Sequence, residues 1–258
     1  AWQISQFSAS MRLTWRPRLL TWHAFELEHR RTTVADTIAH FINPDFFLNA
    51  ATRQHHTSFV YNLRSDHRDF QPYPSKGWAF VGEVRVNGLL PGDNLRLTRL
   101  YAQYARYFHA GPKVSFETIA AGRTSVPRRK PPYFNNQALG YGNNLVRGYQ
   151  YYVSDGLDYA LLKTSFRVQV FDRVFHFGKW MPFKAFKDMP IRLMLLASTD
   201  IGYSNDPYYT ESNPLVNTLL WGYGPGFDLI AYYNKTLRVE WIRNRLGEAG
   251  FFITINTG

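Results

Sequence analysis

Residues 162–170 read Leu162-Lys163-Thr164-Ser165-Phe166-Arg167-Val168-Gln169-Val170. Successive side chains of an extended strand point to opposite faces. Leu162, Thr164, Phe166, Val168 and Val170 therefore share one face, and Lys163, Ser165, Arg167 and Gln169 share the other. The first face suits lipid or a protein core. The second carries cations, and a basic side chain facing lipid at mid-bilayer costs about 2–4 kcal/mol. Such a strand fits the wall of a transmembrane β-barrel with its charges in the lumen. It also fits a soluble sandwich or barrel with its charges in water.

The same period recurs along the chain, and helical periodicity is nearly absent. Met11, Leu13, Trp15 and Leu19 oppose Ser10, Arg12, Thr14, Arg16 and Arg18; Phe25 and Leu27 oppose Glu26 and Glu28. Phe59, Tyr61 and Leu63 oppose Ser58, Asn62, Arg64 and Asp66, and Trp78, Phe80, Val84 and Val86 oppose Glu83, Arg85 and Asn87. Strands are expected at 10–20, 22–30, 54–66, 77–88, 95–108, 113–123, 157–172, 190–204, 217–233, 236–244 and 249–256. Residues 95–108 are aromatic but alternate poorly. These are about eleven strands of roughly ten residues, near the length that crosses a bilayer at a tilt. A soluble sandwich would carry an aliphatic inner face. Here the apolar face is rich in Trp, Tyr and Phe, which favours the membrane barrel.

Composition agrees. The 258 residues are 45% hydrophobic and 17% aromatic, yet mean hydropathy is −0.34. A barrel wall is apolar only at alternate positions, so its average stays low. No apolar run approaches the roughly 18–20 residues of a membrane helix. The absence of cysteine excludes disulfides, thiol catalysis and Cys-ligated metals. The net charge of +11 admits a solvated basic surface, nucleic acid, anionic lipid or an arginine-lined pore. Charges on alternate strand positions favour the pore. The basic clusters fit no nucleic-acid module, and Arg128-Arg129-Lys130-Pro131-Pro132 reads as a loop. Ala1-Trp2-Gln3-Ile4 lacks the basic start and apolar core of a signal peptide; either one was cleaved or the chain begins inside a larger protein, and the second is the expectation.

Connections alternate in length. Residues 31–53, 89–93, 124–156 and 204–217 are long or polar, and 70–76, 109–112 and 233–235 are short. Long extracellular loops and short periplasmic turns are the barrel's usual asymmetry. Residues 173–189 break it, being long, aromatic and basic on the short side; an interfacial patch is one reading.

Several clusters have plain explanations. His55-His56 would point to opposite faces, so no metal site is expected there. Gly140-Tyr141-Gly142 is followed by no helix that would complete a phosphate loop. Gly222, Gly224 and Gly226 lie on one strand face, as where another backbone approaches closely. Asp66-His67-Arg68-Asp69, with Pro72, Pro74 and Gly77, reads as a strand end and tight turn with solvated charges. No Ser/His/Asp order or paired carboxylates suggest catalysis, so no enzyme activity and no cofactor are expected.

The Gly/Asn-rich loop before the opening strand contains Val146-Arg147-Gly148-Tyr149. Arg147 is either an ordinary loop arginine or a guanidinium inside the lumen, where it would need a carboxylate or several carbonyls. Asp200 shares the lumen register with Arg192 and Ser198, and Gly202 beside it leaves room for an incoming loop.

Val146-Arg147-Gly148-Tyr149 resembles the signature loop motif of BamA-type barrels, which include BamA, TamA and the two-partner secretion transporters. Asp200-Ile201-Gly202 resembles the family's Asp-x-Gly strand motif, whose acid pairs with the loop arginine. Asp66-x-Arg68-Asp69, Tyr73-Pro74 and Lys76-Gly77 resemble another recurring stretch. Pro132-Tyr133-Phe134 to Ala138-Leu139-Gly140-Tyr141-Gly142 is similar to members from Bacteroidetes-like bacteria. The resemblance runs from about residue 54 to the end. The chain departs from it at Ser198, where many members carry Phe, and at Arg167, where many carry an acid. It also ends Asn256-Thr257-Gly258 rather than on an aromatic residue. Asp228, Glu117 and Glu240 are candidates for the missing second acid.

The resemblance implies an all-β, antiparallel transmembrane β-barrel, with this chain supplying about the last eleven strands of a sixteen-strand barrel. Residues 1–258 would be a single C-terminal β-barrel domain, with N-terminal strands and POTRA modules outside it. It implies a Gram-negative outer-membrane factor that inserts or exports proteins through a lateral gate without ATP. The alternatives are a two-partner-secretion-type pore, an anchor barrel for a passenger or lipase domain, and a plain porin. Implied partners are nascent outer-membrane proteins or a secreted passenger, outer-membrane lipids including lipopolysaccharide, and accessory lipoproteins, with no nucleic acid.

Overall fold

In a computed structural model, residues 3–176, 187–211, 213–231 and 235–256 are described. The strands are β1 (Ile4–Arg18), β2 (Thr21–Val34), β3 (Arg53–Asp66), β4 (Gly77–Asn87), β5 (Leu97–Gly111), β6 (Val114–Val126), β7 (Gln137–Leu139), β8 (Ser154–Asp155), β9 (Asp158–His176), β10 (Asp188–Asn205), β11 (Leu219–Ala231), β12 (Lys235–Asn244) and β13 (Ala249–Asn256). Eleven form one antiparallel sheet in chain order, and β7 pairs with β8 apart from it. No pairing joins β1 to β13 among the described residues, so this sheet has two edges.

The inner face follows the sequence period. On β10, Ser198, Asp200, Gly202 and Ser204 are buried, while Leu195, Ile201 and Tyr203 on the opposite face are exposed. Outward aromatic rings meet across strands: Phe116 lies 5.2 Å from Phe108 and 4.9 Å from Phe166. Inward charges find partners, as burial of a charge requires. Glu28 on β2 is 5% exposed and accepts from Arg30 and from Arg85 on β4, the latter at 2.8 Å.

Three features differ from the sequence expectation. The eleven strands of the large sheet run from 8 to 19 residues rather than about ten, and β1 starts at Ile4 rather than residue 10. β5 does alternate, but Tyr101, Ala105 and Tyr107 occupy its inner face, and Tyr101 packs against an inserted loop. An inner face covered by protein need not be polar, which blurs the period. The stretch 173–189 is partly strand: β9 continues to His176, whose Nδ1 lies 2.6 Å from Asp188 Oδ1. Its centre, 177–186, lies outside the described residues, as do 232–234 at the last short turn.

Loops 35–52, 88–96, 127–157 and 245–248 leave one end of the sheet, and the connections 19–20, 67–76 and 112–113 leave the other. Loop 127–157 folds back along the inner face. Ala138, Leu139, Val146 and Tyr149 from the loop form a buried cluster with Ala121 (β6), Tyr159 and Leu161 (β9), Leu220 (β11) and Leu215. Burying apolar side chains stabilises by about 25 cal/mol per Å². This cluster therefore seats the loop before its charges are counted.

Candidate functional site

Val146 is 1% exposed and Tyr149 2% exposed, flanking Arg147 on both sides. Gly148 adopts φ +81°, and a side chain there would press on Ile242 and Asn244 of β12. The Arg147 side chain is 11% exposed. Its Nη1 donates to Asp200 Oδ1 at 2.6 Å, and its backbone N–H donates to Asp200 Oδ2 at 3.1 Å. Its Nε lies 3.1 Å from Glu240 Oε1 on β12. Glu240 also accepts from Ser198 Oγ at 3.1 Å. Of the three sequence candidates, Glu240 is thus the second acid. Asp228 pairs with Arg238, and Glu117 pairs with Arg167.

The loop backbone is held as well. Lys163 Nζ donates to Leu145 O at 2.9 Å and lies 3.7 Å from Asp200. Asn244 Nδ2 donates to Gly148 O at 2.9 Å. Lys163 and Asn244 were not expected as loop anchors, although a cation on the inner face of a wall strand signals a buried acceptor. Glycines make room for the loop. A Cβ on Gly202 would lie 2.6 Å from Val146 Cγ2, and one on Gly222 would lie 1.8 Å from Arg147 O. Gly224 and Gly226 instead face the backbone of β12, at Trp241 O and Val239 O. The glycine face thus serves a loop at one position and a neighbouring strand at two.

The turn at the other end does not match its expectation of solvated charges. Asp66 is 2% exposed. Arg68 grips it with both prongs, Nε to Oδ1 at 2.7 Å and Nη2 to Oδ2 at 2.6 Å, and Arg64 adds a contact at 3.1 Å. A planar guanidinium fits a carboxylate in this two-bond geometry. Asp69 accepts from the backbone N–H of Phe70 and of Ser75 at 2.9 and 3.0 Å, closing the turn. Gly77 has φ +107°, and a Cβ there would lie 2.1 Å from His67 O. Pro74 is buried.

This turn reaches across the inner face. Tyr73 Oη donates to Asp228 Oδ2 on β11 at 2.8 Å, and Arg238 on β12 holds Asp228 with two bonds of 2.7 Å each. Arg167 on β9 stacks over the Tyr73 ring at 4.7 Å and donates to Pro74 O at 3.1 Å. Burial pushes the Tyr73 phenol above its ordinary pKa, which keeps it a donor. Between turn and loop lies a chamber of about 420 Å³, lined by Tyr73, Arg147, Lys163, Arg167, Arg238 and Glu240 among others. His56 is buried in β3, and His55 Nε2 lies 3.0 Å from Gly92 O. Among the described residues no group of three His, Cys, Asp or Glu could hold a metal ion.

The arginine loop is thus seated on the Asp200-Ile201-Gly202 strand. Residues 3–155 match the Omp85 superfamily domain. The chain belongs to the Omp85 superfamily. No curated protein matches the sequence. Among solved structures the Omp85 chain is similar in fold to BamA from Haemophilus ducreyi lacking POTRA domains 1-3. The TM-score is 0.67 at 10% identity, over 98% of this chain and 53% of that one. The chain thus spans about half the length of that BamA chain, and the likeness is one of fold. The Omp85 match ends near β8, so Asp200, Asp228 and Glu240 rest on the geometry above.

Proposed function

We propose that this chain forms the C-terminal wall of an outer-membrane barrel that inserts nascent β-barrel proteins through a seam beside β13, without ATP. In this reading the short turns face the periplasm and the long loops face outward. The observation that carries it is the uneven bracing of the sheet. The Arg147 loop bonds to β9, β10 and β12 through Lys163, Asp200, Glu240 and Asn244. β13 has eight residues, pairs with β12, and meets the loop through a Tyr151–Phe252 ring contact 6.2 Å apart.

A well-braced wall ending in a lightly held strand suits strand exchange. An incoming strand can add to a sheet edge through main-chain hydrogen bonds, exchanging one set for another at small net cost. No nucleotide hydrolysis is needed when bonds are exchanged rather than lost. The loop packed along the inner face supports a route along the seam over the open-pore alternative.

The test is Arg147→Ala in the full-length protein. Removing one partner from a buried ion pair costs about 3–5 kcal/mol, enough to undock the loop. The expected outcome is reduced levels of assembled outer-membrane proteins and a less heat-stable barrel. Unchanged levels and unchanged heat stability would overturn the reading.

A further inference from the structure

We infer that the turn between β3 and β4 is a latch that closes the lumen at the end opposite the Arg147 loop, with Tyr73 as its bolt and Arg167 as its keeper. The inference needs the barrel but goes beyond the assembly reading.

The turn is built rigid and aimed inward. Asp69 ties its two ends, with its N–H donating to Lys76 O at 3.0 Å, and Arg68 fixes its base on buried Asp66. Pro72 and Pro74 restrict the backbone on either side of Tyr73. A pre-set turn loses little conformational freedom when it docks. The far wall is equally prepared. Asp228 is 0% exposed and aligned by Arg238 before it receives the phenol. Arg167 is 4% exposed, and Glu117 neutralises it while its other prong holds Pro74 O.

Four strands, β5, β6, β9 and β10, separate β4 from β11 in the sheet, so the Tyr73–Asp228 bond joins distant parts of the wall. The latch and the Arg147 loop bound the same chamber from opposite sides. Arg167 is the side chain that ties the turn to β9. An acid there could neither stack on Tyr73 nor donate to Pro74 O, so this residue choice is linked to the turn.

The test is ion conductance of the full-length protein in planar bilayers. Tyr73→Phe removes one oxygen and keeps the ring. Arg167→Lys keeps the charge toward Glu117 but loses the flat, forked head. Loss of a hydrogen bond to a carboxylate shifts an equilibrium by about ten- to hundredfold. The expected result is a rise of that order in the ratio of open to closed time in at least one variant, with the loop intact. Correctly folded barrels, judged by heat-modifiable gel mobility, that stay as closed as wild type in both variants would overturn the latch. Assembly activity is scored separately with Arg147→Ala, so the two readings fail independently.

Discussion

Gly222→Ala tests the loop's seat without touching a charge. A Cβ on Gly222 falls 1.8 Å from Arg147 O, and real Cβ atoms essentially never come within 3.0 Å. The clash is with backbone, so no side chain can swing aside. The loop must lift by at least about 1.2 Å, or β11 must retreat from β10 and β12, which hold it on both sides. Lifting stretches the bonds from Arg147 Nη1 to Asp200 and from Nε to Glu240, now 2.6 and 3.1 Å, beyond hydrogen-bond range. The cost should therefore approach that of breaking a buried pair, about 3–5 kcal/mol, rather than the 1–3 kcal/mol of ordinary overpacking. Heat-modifiability of the barrel and hydrogen exchange at residues 145–149 report it. Gly92→Ala is the control: nothing lies within 4 Å of its Cβ, and a change within about 0.5 kcal/mol is expected. If Gly222→Ala matches this control in stability and in loop protection, the loop is not seated as described.

Two other substitutions separate the site's parts. Glu240→Gln keeps the acceptor oxygen but removes the charge, so it should lower the urea midpoint by the equivalent of about 1 kcal/mol, clearly less than Arg147→Ala. An effect equal to that of Arg147→Ala would show that Glu240, not Asp200, is the main partner. Gly77→Ala forces a side chain into φ +107° against His67 O and should cost about 1–3 kcal/mol. Retention of wild-type heat stability would refute the strained turn.

The wall was legible because lipid imposes a strict period. Leu162 to Gln169 and the stretch around Asp200 alternate without interruption, and the pairing partners of β9 and β10 follow in chain order up to a bulge at Val170. β5 was obscure for a physical reason: its inner face meets a loop, so Tyr101 and Tyr107 break the polar alternation. The partner of Asp200 could be anticipated from a motif, since both residues sit in short recognisable strings. Its second acid could not. Glu117, Asp228 and Glu240 all face inward, and which cation each meets depends on strand stagger and on how deep each loop reaches. Neither quantity is written in local sequence. Tyr73 carried a weak signal, an aromatic residue between two prolines in a turn expected to be polar. Its bond to Asp228, 155 positions away, is a property of closure across the lumen.

If β13 borders the seam where client strands enter while β9–β12 stay clamped, clients should pass beside β13 alone. The direct measurement is site-specific photo-crosslinking in cells, with the probe at Ile253 or Ile255 on β13 and, for comparison, at Phe227 on β11. All three side chains are exposed on the outer face. Adducts with nascent outer-membrane proteins are expected from the β13 positions and none from Phe227. Equal adducts from all three positions, or adducts from Phe227 alone, would contradict it.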